Sequence, residues 1–158
     1  ASRRPVCDPP LRTRADIDAI KAGLADGTID AIATDHAPHA AHTKEVPLDQ
    51  APPGMVGLET ALALAITELD MPLADIVAAL SWQPAAIAGV ADRHGRPIAV
   101  GEPANLTVFH PTQQWAVVPA QLASKSRNTP YAGRTVQGKV RHTIFEGNPV
   151  VIDSAAQR

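Results

Sequence analysis

The spacing of apolar residues near the start of the chain predicts a helix followed by a short buried strand. Thr13, with Asp16 three residues later, has the pattern of an N-terminal capping box, and Asp26-Gly27 is a typical helix end. The apolar run at 29–33 is too short for a helix and predicts a buried strand. A helix, a tight turn and a buried strand are typical of an α/β fold with parallel strands. The apolar positions at helical spacing within the predicted helix are Ile17, Ile20 and Leu24.

A polar and proline-rich loop interrupts the apolar pattern at 40–56 and is followed by a helical region. A loop of this length in a compact domain is more often functional than idle. The apolar spacing then predicts a mostly buried helix from Gly57 to Leu69, a second helix from Leu73 to Leu80, and a third that begins at Pro84.

Beyond about Arg93 the pattern changes to short β-type runs separated by Gly and Pro. Gly147-Asn148-Pro149, between the last two runs, predicts a hairpin. We therefore expect two parts, an α/β part over residues 1–95 and a small all-β part over residues 96–158. The predicted strands of the second part are 106–109, 139–145 and 150–152.

The composition narrows the class of protein. With 45% hydrophobic residues in 158, the chain is an ordinary globular one, and its net charge of -2 and 3% aromatic content argue against nucleic-acid binding. One cysteine, Cys7, allows no internal disulfide, and we expect neither a membrane-length apolar segment nor a leader. We expect a cytoplasmic protein without a membrane segment. The opening at Ala1, without Met, is expected of a chain entered midway.

Thr34–His39 holds the polar residues that point most directly to chemistry. Asp35 follows the predicted strand at 29–33, and functional side chains of parallel α/β folds gather at the C-terminal ends of strands. A carboxylate at such an end can ligate a metal or act as a general base on metal-bound water. The spacing alone fits equally well an Asp35 that caps the next turn beside solvated histidines.

A zinc site made of His36, His39 and His42 is disfavoured by the sequence. Their spacing would bring the three rings together only on a helix, and Pro38 opposes a helix in this segment. The remaining histidines are scattered through the β part and are expected to be surface or packed residues.

The segment Thr34–His39, Thr-Asp-His-Ala-Pro-His, resembles the motif at the end of the eighth barrel strand of dihydroorotases. Other segments resemble the same family in the same order, so the likeness spans nearly the whole chain. Segments 34–39 and 53–60 are fairly specific to dihydroorotases, whereas Gln83–Ala85 and Gly101–Val108 are shared by many amidohydrolases. These further segments are Pro9–Arg12, Ala51–Thr60, Gln83–Ala85 and Gly101–Val108.

The resemblance implies the C-terminal part of a metal-dependent hydrolase TIM barrel, with its last two strand-helix units, followed by part of a small β-sandwich domain. It implies a zinc-dependent cyclic-amide hydrolase with one or two ions, which interconverts (S)-dihydroorotate and N-carbamoyl-L-aspartate in pyrimidine biosynthesis. Asp35 would then be the metal-linked acid/base, and His39 would bind the substrate carboxylate. The backbone at Pro53 and Gly54 would contact the pyrimidine ring, and Asp8 stands where the family has a substrate-contacting Asn.

This sequence departs from the family's pattern in two respects. The family's other metal-binding histidines lie on earlier strands that this chain lacks, so we expect the isolated chain to be inactive. Asp8 replaces the family's Asn. Two other functions stay open: a non-catalytic partner or scaffold of aspartate transcarbamoylase, and another cyclic-amide hydrolase of the hydantoinase or allantoinase kind. A homo-oligomer is also compatible with the resemblance.

Overall fold

The computed structural model describes residues 7, 8 and 10–157. The opening at Ala1 and Pro9 of the segment Pro9–Arg12 lie outside the described residues. Helices occupy the first part of the described chain, and an antiparallel sheet occupies the second.

Helix α1, Arg14–Ala25, begins and ends where the sequence predicts. The Thr13 hydroxyl accepts from the Asp16 N–H at 3.4 Å while the Asp16 carboxylate accepts from the Thr13 N–H at 2.8 Å, so the capping box is confirmed. No residue of α1 is buried, and Ile17 and Ile20 are 43% and 54% exposed. The apolar face of α1 is therefore largely uncovered by the described residues, with only Leu24 partly covered.

The strand predicted at 29–33 is not formed, and that prediction was wrong. Residue Ile32 instead donates its N–H to the carbonyl of Ala79 at 2.9 Å. A strand needs a neighbouring strand with which to exchange hydrogen bonds, and the described residues place none beside 29–33. A one-residue parallel bridge between His36 and Met55 lies just beyond this segment.

The helix predicted from Gly57 to Leu69 is confirmed as a 3₁₀ turn, Leu58–Thr60, that continues into α3, Ala61–Glu68. A short helix in the preceding loop, α2, Ala41–Lys44, was not predicted. This helix is a single turn without a side-chain cap, and its sequence has too little apolar spacing to predict a helix.

The second and third predicted helices form one continuous helical run. Helix α4, Leu73–Val77, passes through a π-helical turn, Ala78–Trp82, into α5, Gln83–Ile87. Pro84 has no N–H to donate to the carbonyl four residues earlier, and a π turn at this point accommodates the missing bond. Within residues 7, 8 and 10–157, every helix is too short or too polar to cross a membrane.

The β part is a four-stranded antiparallel sheet in the order β1-β2-β3-β4. Strand β1 runs beyond the predicted residues and contains Pro111, which is tolerated because the register with β2 shifts between His110 and Gln114. The predicted hairpin is confirmed, with Phe145 opposite Asn148 across a two-residue turn. The strands are β1 Leu106–Ala116, β2 Thr135–Phe145, β3 Asn148–Ile152 and β4 Ala155–Ala156.

Two consecutive residues with positive φ form each of the tight turns that flank β3. Glu146 and Gly147 have φ of 48° and 80°, and Asp153 and Ser154 have φ of 48° and 67°. Such turns match the right-handed twist of the paired strands and fix their register. The second turn leads into β4. The sequence did not predict β4, because the turn at Asp153 and Ser154 contains no glycine.

The main core lies where α3 packs against the sheet. Ala63 of α3 is buried with Val117 and Val136. Thr67 accepts from the Gln137 N–H at 2.8 Å, so helix and strand are also joined by a hydrogen bond. A Cβ at Gly138 would approach Ile66 Cδ1 to 2.7 Å, which shows how closely α3 lies on β2. Partly buried Leu64, Trp115 and Tyr131 pack around this cluster.

The connection between the helices and β1 is held by polar bonds. The guanidinium of Arg96 binds Glu102, and this hydrogen bond lowers the pKa of the Glu102 carboxyl. Asn105 donates to the Arg93 carbonyl at 2.9 Å and accepts from the Glu146 N–H at 2.8 Å. The start of β1 is thereby tied to the end of the helical part and to the β2–β3 turn.

Candidate active site

Asp35 lies at the start of an irregular loop and has an unusual backbone conformation. Its φ is 44°, in the left-handed region that Asp adopts more readily than most residues. The side chain is exposed and makes no hydrogen bond or ion pair with another described residue. A carboxylate held in this way is available to a ligand or a proton, and backbone strain of this kind clusters at functional sites.

His36 points toward the beginning of α3 rather than toward Asp35's surroundings. Its Nδ1 accepts from the N–H groups of Gly57 at 3.0 Å and Leu58 at 3.3 Å. A Cβ at Gly57 would lie 2.9 Å from the Thr34 carbonyl oxygen, so only glycine allows this approach. His36 therefore has a structural role that joins loop 34–39 to the helix.

Loop 34–39 and loop 51–57 run side by side. The bridge between His36 and Met55 is parallel, and the Ala37 N–H donates to the Met55 carbonyl at 2.9 Å. These two loops, which the sequence singles out separately, are thus brought together by the fold.

The paired loops place three of the predicted site residues in contact. His39 Nε2 lies 2.9 Å from the Pro53 carbonyl oxygen. A carbonyl only accepts, so Nε2 carries the proton of this bond and Nδ1 is the ring nitrogen left over. Gly54 is adjacent, since a Cβ there would lie 3.2 Å from His39 Nε2 and 2.5 Å from the Ala37 Cβ. With a φ of 116° as well, position 54 accommodates only glycine.

Side chains capture the carbonyl oxygens of loop 51–57. Lys44 Nζ donates to Pro52 at 2.5 Å and to Gly54 at 2.9 Å, and Asn128 Nδ2 donates to Gly54 at 3.1 Å. No described residue accepts a hydrogen bond from the Gly54 N–H. Of the backbone groups at Pro53 and Gly54, this N–H is the donor left for a ligand.

Four residues that take part in this arrangement were missed by the sequence reasoning. Ser126 and Asn128 reach loop 34–39 from a segment far along the chain, and Glu59 accepts from the backbone N–H groups of Ala123 and Ser124 at 2.8 and 3.0 Å. Lys44 lies in the polar loop 40–56, where the sequence gives no sign of its bonds to loop 51–57. Asn128-Thr129-Pro130 reads as an ordinary turn, so a single sequence carries no signal of these long-range contacts.

Asp8, the remaining predicted substrate residue, is exposed and lies at a bend of the chain. The structure gives it no hydrogen bond to Asp35, His39 or the loop 51–57. Its predicted role is not tested by this geometry and stays a prediction.

The described residues do not form a metal site by themselves. Across residues 7, 8 and 10–157, no three His, Cys, Asp or Glu side chains converge as metal ligands. Asp35 can offer one oxygen donor, whereas a catalytic zinc usually has three protein ligands. The described residues therefore fit a metal as one contributor to a larger site.

The chain belongs to the amidohydrolase family, since residues 4–150 match that family. It combines helices with a sheet in the fold of that family. Among individual proteins, it is 48% identical over 150 residues to the dihydroorotase of Streptomyces coelicolor, covering 92% of this chain and 35% of that protein. The dihydroorotase of Mycobacterium leprae is 48% identical over 144 residues, which cover 89% of this chain and 33% of that protein. The chain thus spans about a third of the length of the curated relatives it matches.

Solved structures with the same fold include hydantoinases and dihydropyrimidinases. The dihydropyrimidinase of Brevibacillus agri NCHU1002 superposes with a TM-score of 0.87 at 25% identity, over 96% of this chain and 34% of that one. The L-hydantoinase of Arthrobacter aurescens gives a TM-score of 0.87 at 25% identity, over 97% of this chain and 35% of that one.

Proposed function

We propose that this chain is the C-terminal third of a dihydroorotase, the enzyme that reversibly hydrolyses (S)-dihydroorotate to N-carbamoyl-L-aspartate. The observation that carries the proposal is the contact of His39 with Pro53 and Gly54, in the same loop as the exposed Asp35 four residues earlier. The 45–48% identity to curated dihydroorotases supports it over the 25% identity to dihydropyrimidinases. Pyrimidine biosynthesis and a cytoplasmic location belong to the same proposal.

The paired loops offer two donors that suit dihydroorotate. The substrate is an anion whose carboxylate is attached to a ring with amide carbonyls. The Gly54 N–H can donate to a ring carbonyl. The Nε2 proton of the His39 imidazole is already donated to the Pro53 carbonyl. When the imidazole carries a second proton, on Nδ1, that proton can be donated to the substrate carboxylate. A charge-assisted bond of this kind distinguishes an anionic cyclic amide from a neutral one.

Asp35 is the proposed general base and acid of the reaction. In the hydrolytic direction it accepts a proton from the attacking water, whose oxygen bonds to the ring amide carbon. It then returns the proton to the amide nitrogen as the C–N bond breaks, which gives the carbamoyl nitrogen and a carboxylic acid that loses its remaining proton to solvent to become the product carboxylate. Its exposed carboxylate, free of partners among the described residues, supports this role.

In the complete enzyme, Asp35 would also be an oxygen ligand to one or two zinc ions, which polarise the amide carbonyl and activate water. The other ligands would come from the two thirds of such an enzyme that this chain does not span.

The proposal includes the finer architecture. Residues 1–95 would be the last two strand-helix units of a TIM barrel, and residues 96–158 would be part of a β-sandwich domain. The largely uncovered apolar face of α1 and the unpaired segment 29–33 support this reading, because a barrel would cover the first and pair the second. Asp8 would occupy the position of the family's substrate-contacting Asn.

The test is hydrolysis of dihydroorotate, hydantoin and dihydrouracil by a complete enzyme that carries this segment, with and without chelator. We expect chelator-sensitive hydrolysis with dihydroorotate strongly preferred. Faster turnover of the neutral amides would favour a hydantoinase-like function, which the structural neighbours suggest. Folded protein without turnover of any of the three would contradict an enzymatic role.

A further inference from the structure

Ser126 connects a distant part of the chain to His39. It lies 87 residues further along, between the 3₁₀ turn Pro119–Gln121 and β2, and is buried with 8% exposure. Its hydroxyl accepts from the His39 N–H at 3.0 Å, and the same oxygen lies 2.5 Å from the His39 carbonyl and close to Asn128 Oδ1. A hydroxyl has one proton, so it donates to one of these two acceptors at a time.

Asn128 joins the two site loops to each other. Its Nδ2 donates to the Ala37 carbonyl at 3.0 Å and to the Gly54 carbonyl at 3.1 Å, one from each loop. The main-chain carbonyl of Asn128 accepts a hydrogen bond from the Val56 N–H at 3.1 Å. The two protons of a planar amide have a fixed separation, so this side chain sets the spacing between the loops.

Besides Asn128, individual hydrogen bonds link the two loops, among them those of His39 with Pro53 and of Gly57 with His36. Apart from the bridge between His36 and Met55, no ladder joins them in the described chain. Loops without regular structure are the more mobile parts of a fold. A binding geometry built across two such loops therefore depends on the side chains that link them.

We propose that Asn128 and Ser126 are positioning residues for substrate recognition: Ser126 fixes His39, and Asn128 fixes the distance between His39 and Gly54. The inference rests on the proposed function, since it takes His39 as the reader of the substrate carboxylate and Gly54 as the contact to the ring. Neither residue reaches the reacting atoms. Both act through the backbone of the residues that bind substrate.

A positioning role and a merely structural one predict different kinetics. Loss of positioning weakens binding in the ground state and the transition state alike, so KM rises while kcat changes little. Because Ser126 binds the backbone of His39 and, beyond that, Asn128 Oδ1, most of the effect of its removal should disappear once His39 is replaced. A loss of stability would instead lower the amount of folded enzyme in either background.

The experiment uses a complete enzyme that carries this segment, with dihydroorotate as substrate. Ser126→Ala and Asn128→Asp are each made alone and with His39→Ala, and KM, kcat and Tm are measured. Asn105→Asp is the matched control, since Asn105 also bridges two backbone segments but lies at the start of β1.

Ser126→Ala and Asn128→Asp are expected to raise KM about tenfold to a hundredfold, the effect expected of a displacement of about 1 Å, with kcat within about threefold. In the His39→Ala background, Ser126→Ala should add little, while Asn128→Asp should retain more of its effect through its bond to Gly54. Asn105→Asp should leave KM unchanged even where it lowers Tm. If Asn128→Asp does not fold, the comparison of Ser126→Ala with and without His39→Ala alone tests the inference.

An unchanged KM in folded Ser126→Ala, or equal effects with and without His39, would overturn the inference while leaving the proposed function intact. If the unsubstituted enzyme does not hydrolyse dihydroorotate, the proposed function fails and this inference fails with it.

Discussion

Asp35 combines an exposed carboxylate with a left-handed backbone, and both properties bear on how its role can be tested. Asn tolerates the left-handed region about as well as Asp, so Asp35→Asn should preserve the fold. An amide cannot take up a proton at neutral pH, and general acid–base catalysis contributes on the order of 10²–10⁴-fold. We expect the variant of a complete enzyme to lose dihydroorotate hydrolysis by at least about a hundredfold, with unchanged circular dichroism.

Asp30→Asn is the matched control for that measurement. Asp30 is an exposed aspartate five residues earlier, so its replacement should leave the rate unchanged. If the Asp35→Asn enzyme kept more than about a tenth of the rate, Asp35 would not be the acid/base.

His39 is the residue that should separate anionic from neutral substrates. His39→Ala removes a charge-assisted bond to the carboxylate that contributes roughly 1.5–3 kcal/mol, so kcat/KM for dihydroorotate should fall about tenfold to a hundredfold, mainly through KM. Steady-state kinetics with dihydroorotate and with hydantoin measure this, and hydantoin should be affected much less. His42→Ala, an exposed histidine on α2, is the control. An equal loss with hydantoin would mean that His39 does not read the carboxylate.

At the scale of elements, the pairing of loops 34–39 and 51–57 depends on the absence of a side chain at Gly54. In Gly54→Ala, a positive φ costs about 1–2 kcal/mol, and the overlap with Ala37 and His39 adds about 1–3 kcal/mol. We expect lower stability in urea unfolding and a raised KM, because the loops must move apart.

Gly101→Ala separates the two contributions. Gly101 has a φ of 91° with nothing within 4 Å of the added Cβ, so it carries the backbone strain without the overlap. Its variant should lose only about 1–2 kcal/mol and keep its KM. Equal behaviour of the two variants would show that close packing at Gly54 does not shape the site.

At the scale of the whole molecule, the described chain leaves large apolar side chains uncovered. Ile98 and Val100 are 88% and 108% exposed, in addition to the largely uncovered face of α1. Exposed apolar surface of this kind marks an interaction surface. Because Asp35 is the one candidate metal ligand among residues 7, 8 and 10–157, the purified 158-residue chain should retain no zinc after dialysis and should not hydrolyse dihydroorotate.

Metal analysis and an activity assay on the chain and on a complete enzyme, prepared in the same way, check this expectation. Dye binding to apolar surface should be higher for the isolated chain. Chelator-sensitive turnover by the isolated chain would contradict both the incomplete metal site and the proposed division of the enzyme.

The sequence by itself determined the features that depend on neighbours along the chain. The capping box at Thr13, the helix after Gly57 and the β2–β3 hairpin follow from local spacing and turn chemistry, which act over a few residues. The motif around Asp35 and His39 likewise identified the candidate site, because its residues are adjacent in sequence.

Only the tertiary structure decided what depends on contacts between distant residues. The segment 29–33 has the apolar pattern of a strand but forms none without a neighbour, since pairing and not propensity makes a ladder. The link from Asn128 to Ala37 and Gly54 spans 91 and 74 residues, and a turn sequence gives no sign of its partners. Hydrogen bonds join groups that the folded chain brings together, so the site's internal spacing became visible only in three dimensions.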